Sequence, residues 1–72
     1  MIKIQNLISE LRHEKGLTQK AVADILGVSR QTIISLENGR YNPSIELAHR
    51  IAVLFDKTIE QVFIFEEDKN EL

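Results

Sequence analysis

A short run of polar side chains near the middle of the sequence is suited to forming hydrogen bonds with a bound partner. Arg30, Gln31 and Ser35 fall on the outward side of the third predicted helix. An arginine can donate to both acceptors of a guanine edge, and a glutamine can match the donor and acceptor of adenine. This side carries no acid before Glu37, whereas a helix face selected only for solubility usually carries Glu and Lys pairs. The pattern therefore favours a face that meets phosphates and base edges.

The residue types and their spacing do not indicate catalysis, metal binding or small-molecule binding. The chain has no cysteine, which excludes thiolate metal sites and thiol catalysis. His13 and His49 lie far apart and neither has a second ligand at metal spacing, so we expect no metal and no other cofactor. The acidic residues Glu66, Glu67 and Asp68 have no partner for general acid–base chemistry. Because short helices leave no room for a ligand-sized pocket, we expect no enzyme and no small-molecule ligand.

Hydrophobic residues recur with the period of an α-helix almost throughout, which predicts an all-α fold of five short helices. The first helix is predicted to begin at Ile4 and to stop near Gly16. Serine and threonine residues stand where the other four helices would begin, as N-cap residues commonly do. These caps are Thr18, Ser29, Ser44 and Thr58. On the fourth helix, the predicted buried face is Ile45, Ala48, Ile51, Ala52 and Phe55.

The second and third helices have the composition of a helix-turn-helix, in which two short helices cross at a steep angle around a tight turn. Ala23 supplies the small residue where the helices touch, and Gly27 supplies the turn. The inward apolar positions are Val22, Leu26, Val28, Ile33 and Leu36. The same residues would suit a helical hairpin in another bundle, so the outward polar residues of the third helix decide in favour of the helix-turn-helix.

Several linked motifs extend this pattern beyond the two helices. They are Gly16-Leu17-Thr18-Gln19, Leu26-Gly27-Val28-Ser29-Arg30-Gln31-Thr32-Ile33, Leu36-Glu37-Asn38-Gly39 and Asn42-Pro43-Ser44. Over roughly Ile4 to Phe63, the sequence resembles the lambda-repressor/Cro (xenobiotic-response-element, XRE) family of bacterial and phage transcriptional regulators. The resemblance implies a five-helix lambda-repressor-like DNA-binding domain that reads its site through the major groove.

The resemblance also implies roles for individual residues. Arg30, Gln31 and Ser35 match side chains that read base edges, while Arg12 and Glu37 match an ion pair that ties the first helix to the third. Ile34 departs from the family, because its predicted exposed position is usually polar. A contact with a thymine methyl and an ordinary surface isoleucine both fit, and the second is the commoner situation. Phosphate contacts are implied for Thr18, Gln19, Thr32, Asn38, Arg40, Tyr41 and Asn42.

The ends of the sequence do not fit a helical bundle. Phe63-Ile64-Phe65 is apolar at consecutive positions, and Met1–Ile4 alternates as a strand does. One helix-turn-helix reads only a few base pairs, so proteins of this kind bind as two-fold dimers, and the apolar carboxyl end is available for the interface. A short β-ribbon of Ile2–Ile4 with Ile64–Glu66 is one arrangement left open, and phenylalanines that only close the monomer core are another. The predicted dimer interface is Ile59, Val62, Phe63, Ile64 and Phe65.

Length and charge indicate one small domain. The 72 residues are near the lower limit for a single hydrophobic core, and we place one domain over 1–66 followed by an acidic, frayed tail over 67–72. Residues 1–43 carry a net charge of +2 and residues 44–72 a net charge of −4, so an anionic partner would meet the first half. No apolar run exceeds five residues, so we expect no membrane contact and a cytoplasmic location.

The predicted function is sequence-specific regulation of transcription, most often repression, by a homodimer on inverted-repeat, double-stranded operator DNA. The alternative is an antitoxin-type or other partner-binding protein whose DNA binding is autoregulatory. Antitoxins usually carry an additional segment that binds the toxin, and 72 residues leave little room for one. A preference for one DNA sequence would discriminate between the two.

Overall fold

The structure, a computed structural model, describes residues 2–67. The elements are β1 (Ile2–Asn6), α1 (Ile8–Glu14), α2 (Gln19–Leu26), α3 (Arg30–Glu37), α4 (Ile45–Leu54), α5 (Ile59–Val62) and β2 (Phe63–Glu67). The five short helices are thus confirmed, and β1 and β2 form the antiparallel ribbon that the sequence left open. Glu67, assigned to the acidic tail, pairs with Ile2 in this ribbon, and the rest of that tail, 68–72, lies outside the described residues. Among the described helices, none has both the length and the apolar character needed to cross a membrane.

The predicted caps begin four of the helices. The hydroxyls of Thr18, Ser29, Ser44 and Thr58 each accept a hydrogen bond from a backbone N–H in the first turn that follows. At Thr58 the cap is reciprocal, because the Gln61 side chain accepts a hydrogen bond of 2.9 Å from the Thr58 N–H. Such boxes satisfy amide groups that the helix itself cannot pair.

The first helix begins at Ile8 rather than Ile4, which corrects the prediction. Ile4 lies in β1 opposite Phe65, and the Leu7 N–H donates to the Val62 carbonyl at 2.9 Å. Apolar residues at positions 4, 7, 8 and 11 fit one side of a helix, but the first of them also fits a strand. The partner strand lies at the other end of the chain, so local periodicity could not reveal which structure would form.

The core lies between the helices and one side of the ribbon. Of the predicted inward set of the helix-turn-helix, Val22, Leu26, Ile33 and Leu36 are buried and Val28 is half-buried. The buried apolar residues of this core are Ile8, Val22, Ala23, Leu26, Ile33, Leu36, Leu47, Ala48, Ile51, Ala52, Phe55, Val62 and Phe63. At a transfer free energy of roughly 25 cal/mol per Å² of apolar surface, burial of this set is the main force holding the helices in place.

Ile45 is the exception on α4, because 85% of its surface is exposed although the periodicity predicts it to be buried. Leu47, which was not predicted to face inward, is only 8% exposed. Periodicity indicates the side of a helix on which a residue lies, but not whether another element covers that turn. Ile45 is in the first turn of α4, immediately after the Arg40–Ser44 connection, and the core begins further along the helix.

Candidate nucleic-acid interface

The turn between α2 and α3 fixes the angle at which the two helices meet. Gly27 ends α2 in the left-handed conformation, with φ of 72°, which favours glycine. The Val28 N–H reaches back to the Ala23 carbonyl at 3.0 Å, so the chain leaves α2 sharply. Ser29 then caps α3 through the Thr32 N–H at 3.1 Å. The predicted helix-turn-helix is therefore present with the turn and caps that the sequence indicated.

The start of α3 presents its polar residues to solvent. Arg30 and Gln31 are exposed, whereas Thr32 and Ser35 are half-buried. The Thr32 hydroxyl lies 2.9 Å from the Ser29 hydroxyl, so it is already engaged within the turn. Ile34 is half-buried rather than exposed, which corrects the prediction; α3 packs against both α2 and α1, so less of its surface is free than a single buried side implies.

The predicted ion pair between α1 and α3 is present and nearly enclosed. Arg12 Nε donates to Glu37 Oε2 at 2.8 Å, and Arg12 Nη2 donates to Glu37 Oε1 at 3.2 Å. The side chains of Arg12 and Glu37 are only 9% and 8% exposed. The third arginine group, Nη1, donates to the Leu17 carbonyl at 3.1 Å, so the guanidinium also holds the segment before α2. This double contact fixes the position of α3 relative to α1.

Gln19 contributes a third contact to the same carboxylate, which sequence reasoning missed. Its Nε2 donates to Glu37 Oε1 at 3.2 Å, and the side chain is half-buried. The hydroxyl of Thr18, the residue before it, accepts the Ala21 N–H at 3.0 Å. Both residues were predicted to bind phosphate, and both have a structural contact at the start of α2. No local signal indicated the Gln19 contact, because Glu37 lies on another helix.

The starts of α2 and α3 share one basic hollow of about 590 Å³. The structure therefore brings Thr18, Gln19 and Arg30 together on one side of the domain. Lys20 also reaches this hollow, and its ammonium lies 2.9 Å from Asp24 Oδ2 in an exposed ion pair. The remaining lining groups are Arg12, His13, Gly16 and Leu17.

The chain after α3 forms a second polar surface at the opposite end of that helix. Asn38, Arg40, Tyr41 and Asn42 are all exposed. The Arg40 N–H donates to the Ser35 carbonyl at 3.0 Å, which holds the segment against the end of α3. Asn38 and Asn42 line a hollow of about 500 Å³ with residues of β1, whereas Arg40 and Tyr41 lie outside both hollows. The predicted phosphate contacts thus fall into two groups, one near each end of α3.

The predicted dimer residues divide into buried and exposed ones. Val62 is 0% exposed and Phe63 is 3% exposed, so the structure places both in the monomer core and corrects their assignment to an interface. They are enclosed because α5 packs against α4 and continues directly into β2. Ile64 and Phe65 are exposed by 38% and 52%, and Ile59 is half-buried.

An apolar surface beside the ribbon includes residues that the sequence did not suggest. We call it the ribbon hollow; its volume is about 200 Å³. Ile45 forms part of it together with Phe65, although the two residues are far apart in the chain. Its apolar lining is Ile4, Pro43, Ile45, Ala48, Ile59, Phe63 and Phe65. Only the pairing of β1 with β2 creates this surface, so periodicity alone could not identify it.

Comparisons with known proteins agree with this geometry. A family model described as a helix-turn-helix matches residues 8–62. An HTH-type transcriptional regulator of Methanothermobacter thermautotrophicus is 56% identical over 66 residues, which cover 90% of this chain and 96% of that protein. The HTH-type transcriptional regulator YgzD of Bacillus subtilis is 38% identical over 65 residues, covering 90% and 98% of the two chains. The relatives therefore include archaeal proteins, beyond the bacterial and phage regulators that the resemblance named.

A solved structure supports the same assignment. A putative DNA-binding protein from Bacteroides fragilis superposes with a TM-score of 0.75 and 25% identity, covering 83% of this chain and 97% of that one. Together with the regulators of similar sequence, it matches nearly the whole described chain, including both helices of the helix-turn-helix. This chain belongs to the XRE-type helix-turn-helix family of DNA-binding transcriptional regulators, and it is not an enzyme.

Proposed function

We propose that the protein is a homodimeric repressor that binds inverted-repeat operator DNA through the major groove. One observation carries the proposal: the start of α3 exposes Arg30 and Gln31, while the single acid of that helix is withdrawn from the surface. Glu37 is 8% exposed and accepts hydrogen bonds from Arg12 and Gln19. The outward side of α3 therefore carries no exposed negative charge that would repel a polyanion.

The dimensions of α3 suit base recognition. Its eight residues span about 12 Å, close to the width of the major groove. Arg30 and Gln31 lie in the first turn and would reach deepest, with the arginine donating to guanine and the glutamine pairing with adenine. Ser35, one turn later and half-buried, would approach the same groove with a smaller contact. We assign base reading to these three side chains.

Phosphate contacts near both ends of α3 would fix its register on the duplex. Thr18 and Gln19 stand at the start of α2, where unpaired amide groups favour an anion. The exposed segment after α3 would follow the backbone on the other side of the groove. Such contacts set position rather than sequence preference. The proposed phosphate contacts are Thr18, Gln19, Thr32, Asn38, Arg40, Tyr41 and Asn42.

A second copy of the chain is the proposed occupant of the ribbon hollow. Ile45 and Phe65 are exposed by 85% and 52%. A two-fold contact would bury both residues in each of the two copies. Full burial of an exposed side chain of this size contributes about 1.5–3 kcal/mol, of which Ile45 would gain most and Phe65 about half, so the two residues of each copy supply part of a dimer's free energy. Ile59 also lines this hollow, whereas Ile64, exposed by 38%, lies on the opposite side of β2 from Phe65 and is proposed as a contact at the edge of the interface.

Repression would follow from occupancy. A dimer with one α3 in each of two successive major grooves covers about one helical turn between half-site centres, roughly 34 Å. A second protein that needs the same grooves is then excluded from them. This mechanism requires neither a cofactor nor a small-molecule ligand.

Selection of bound duplexes from random DNA tests the proposal, with purified protein at near-physiological salt. We expect recovery of an inverted repeat whose half-site centres are about 10 bp apart. Recovery of a single, unrepeated site would contradict the dimer. Recovery of no preferred sequence, from protein whose circular dichroism is that of a folded helical domain, would contradict the regulator and favour a partner-binding protein.

The dimer surface has its own test with a matched control. Phe65→Glu places a charge in the ribbon hollow, whereas Val53→Glu places the same charge at another exposed apolar residue, 63% exposed on α4 and outside this hollow. Sedimentation should give a monomer for Phe65→Glu and a dimer for Val53→Glu. A dimeric Phe65→Glu variant would show that the interface lies elsewhere. A monomeric Val53→Glu variant would show that the interface lies on the surface of α4 near Ile25.

A further inference from the structure

The side chain of Asn6 connects three elements of the fold. Asn6 is the last residue of β1, and its backbone is paired with Phe63 in the ribbon. Its Nδ2 donates to the Leu36 carbonyl at the end of α3, at 2.8 Å. Its Oδ1 accepts the Ile8 N–H at the start of α1, at 3.2 Å. One half-buried amide therefore joins the ribbon to the ends of two helices.

The amide of Asn6 can make both of these bonds at once, because it carries a donor and an acceptor on separate atoms. Leu36 offers a carbonyl, so the group facing it must donate, whereas Ile8 offers an N–H, so the group facing it must accept. The partners thus fix which way the amide points. Both are backbone groups near helix ends, where the helix itself leaves polar groups to be paired from outside. The Leu36 carbonyl also accepts the Gly39 N–H at 3.1 Å, so Asn6 supplies its second donor. An aspartate at this position would keep the acceptor and lose the donor.

The bond to Leu36 acts where the recognition helix needs support. The start of α3 is fixed by the Gly27 turn and by its Ser29 cap. Near its other end, the helix is held by Glu37 through the Arg12 ion pair and by Leu36 through Asn6. Without the Asn6 bond this end of α3 would be tied by side chains only through Glu37, and in a helix of eight residues a shift of about 1 Å is enough to spoil a bidentate contact.

We infer that Asn6 is a positioning residue for DNA recognition: its Nδ2 holds the end of α3 against the ribbon and thereby sets the angle at which Arg30 and Gln31 enter the groove. The inference rests on the proposed function, since it concerns the same recognition helix. Because the ribbon also borders the hollow assigned to the second copy, this contact connects the proposed dimer surface with the proposed base-reading surface.

Asn6→Asp tests the inference, with Gln5→Glu as its matched control. Both substitutions replace an amide by a carboxylate in β1 and add one negative charge, but Gln5 is exposed. The measurement is fluorescence anisotropy with two duplexes, the one recovered by selection and a scrambled version, well below the melting temperature. We expect Asn6→Asp to lower the ratio of the two affinities by about tenfold, the effect of impairing one base contact. Gln5→Glu should change it by less than about twofold.

A second variant keeps the test decisive if Asn6→Asp does not fold. Asn6→Ser retains an oxygen that can accept the Ile8 N–H, as serine does at helix starts, but its shorter side chain does not reach Leu36. We expect the same fall in the affinity ratio. A purely structural role would lower the melting temperature of either variant and leave the ratio unchanged.

The outcomes separate this inference from the proposed function. If the wild-type protein prefers the selected duplex and a folded Asn6 variant prefers it equally, the positioning role is wrong and the proposed function stands. If the wild-type protein does not distinguish the two duplexes, the proposed function fails and the positioning role fails with it. A fall in the ratio for the Asn6 variants alone supports both.

Discussion

Replacing Glu37 by glutamine should destabilise the domain by about 3 kcal/mol, because it leaves the guanidinium of Arg12 buried without a counter-charge. The Arg12 side chain is 9% exposed, so water cannot take the place of the carboxylate. Removal of one partner from such a pair costs about 3–5 kcal/mol, and the lower end applies here because the amide oxygen of glutamine keeps one acceptor. A domain of 72 residues has about 4–11 kcal/mol in total, so the loss is a large fraction.

The assay is urea and thermal unfolding followed by circular dichroism. About 3 kcal/mol corresponds to a fall of roughly 12–24 °C in melting temperature for a domain of this size. Asp24→Asn is the control, since it removes the acid of an exposed pair whose side chains are 76% and 66% exposed. That change should cost no more than about 0.5 kcal/mol.

A double-mutant cycle shows whether the loss comes from the pair itself. Arg12→Met combined with Glu37→Gln removes both charges, so the double variant should lose about 2 kcal/mol less than the sum of the single losses. The double variant remains less stable than the wild-type protein, because the Leu17 carbonyl loses the donor that Arg12 Nη1 supplies. Additive losses, or a cost for Glu37→Gln below about 1 kcal/mol, would refute the reasoning.

Three further predictions concern the interface and the turn. Arg30→Ala should cost about 1–3 kcal/mol per half-site on the selected duplex and relax the choice of one base pair, and an equal loss on scrambled DNA would contradict base reading. Arg40→Ala should weaken binding to all sequences alike and make the salt dependence shallower by about one unit per protomer, so an unchanged slope would exclude a phosphate contact. Gly27→Ala should cost about 1–2 kcal/mol in urea unfolding, because φ is 72°. An added Cβ would meet no atom within 4 Å, so a much larger loss would mean that the turn itself is rebuilt.

Features set by neighbouring residues could be predicted from the sequence. The caps at Thr18 and Ser29 and the turn at Gly27 depend on groups within a few residues, and all three are found in the structure. The resemblance also supplied the Arg12–Glu37 pair, which no local pattern shows. The assignments of base and phosphate contacts stay predictions until DNA is present.

Features set by distant pairing could not be predicted in the same way. Ile4 lies in a strand because β2 pairs with it, and Val62 is enclosed because α5 packs against α4. Ile45 remains outside the core because none of the described residues covers it in the first turn of α4. Asn6 looked like an ordinary polar residue and Gln19 was expected only to contact a phosphate, since their partners, Leu36 and Glu37, lie on another element. Each case depends on which elements meet, and periodicity carries no information about that.

The ribbon also has a consequence for the order in which the chain folds. α2 and α3 are joined by a short turn and can pack as soon as both exist, whereas β1 must wait for β2, the last described element. Closing so long a loop delays the pairing, because its entropy is lost before any contact is gained. During synthesis β2 leaves the ribosome after every other described element, and the bond from Asn6 to α3 is expected to form only then. A nascent chain would therefore hold a formed α3 that lacks the Asn6 bond until β2 arrives.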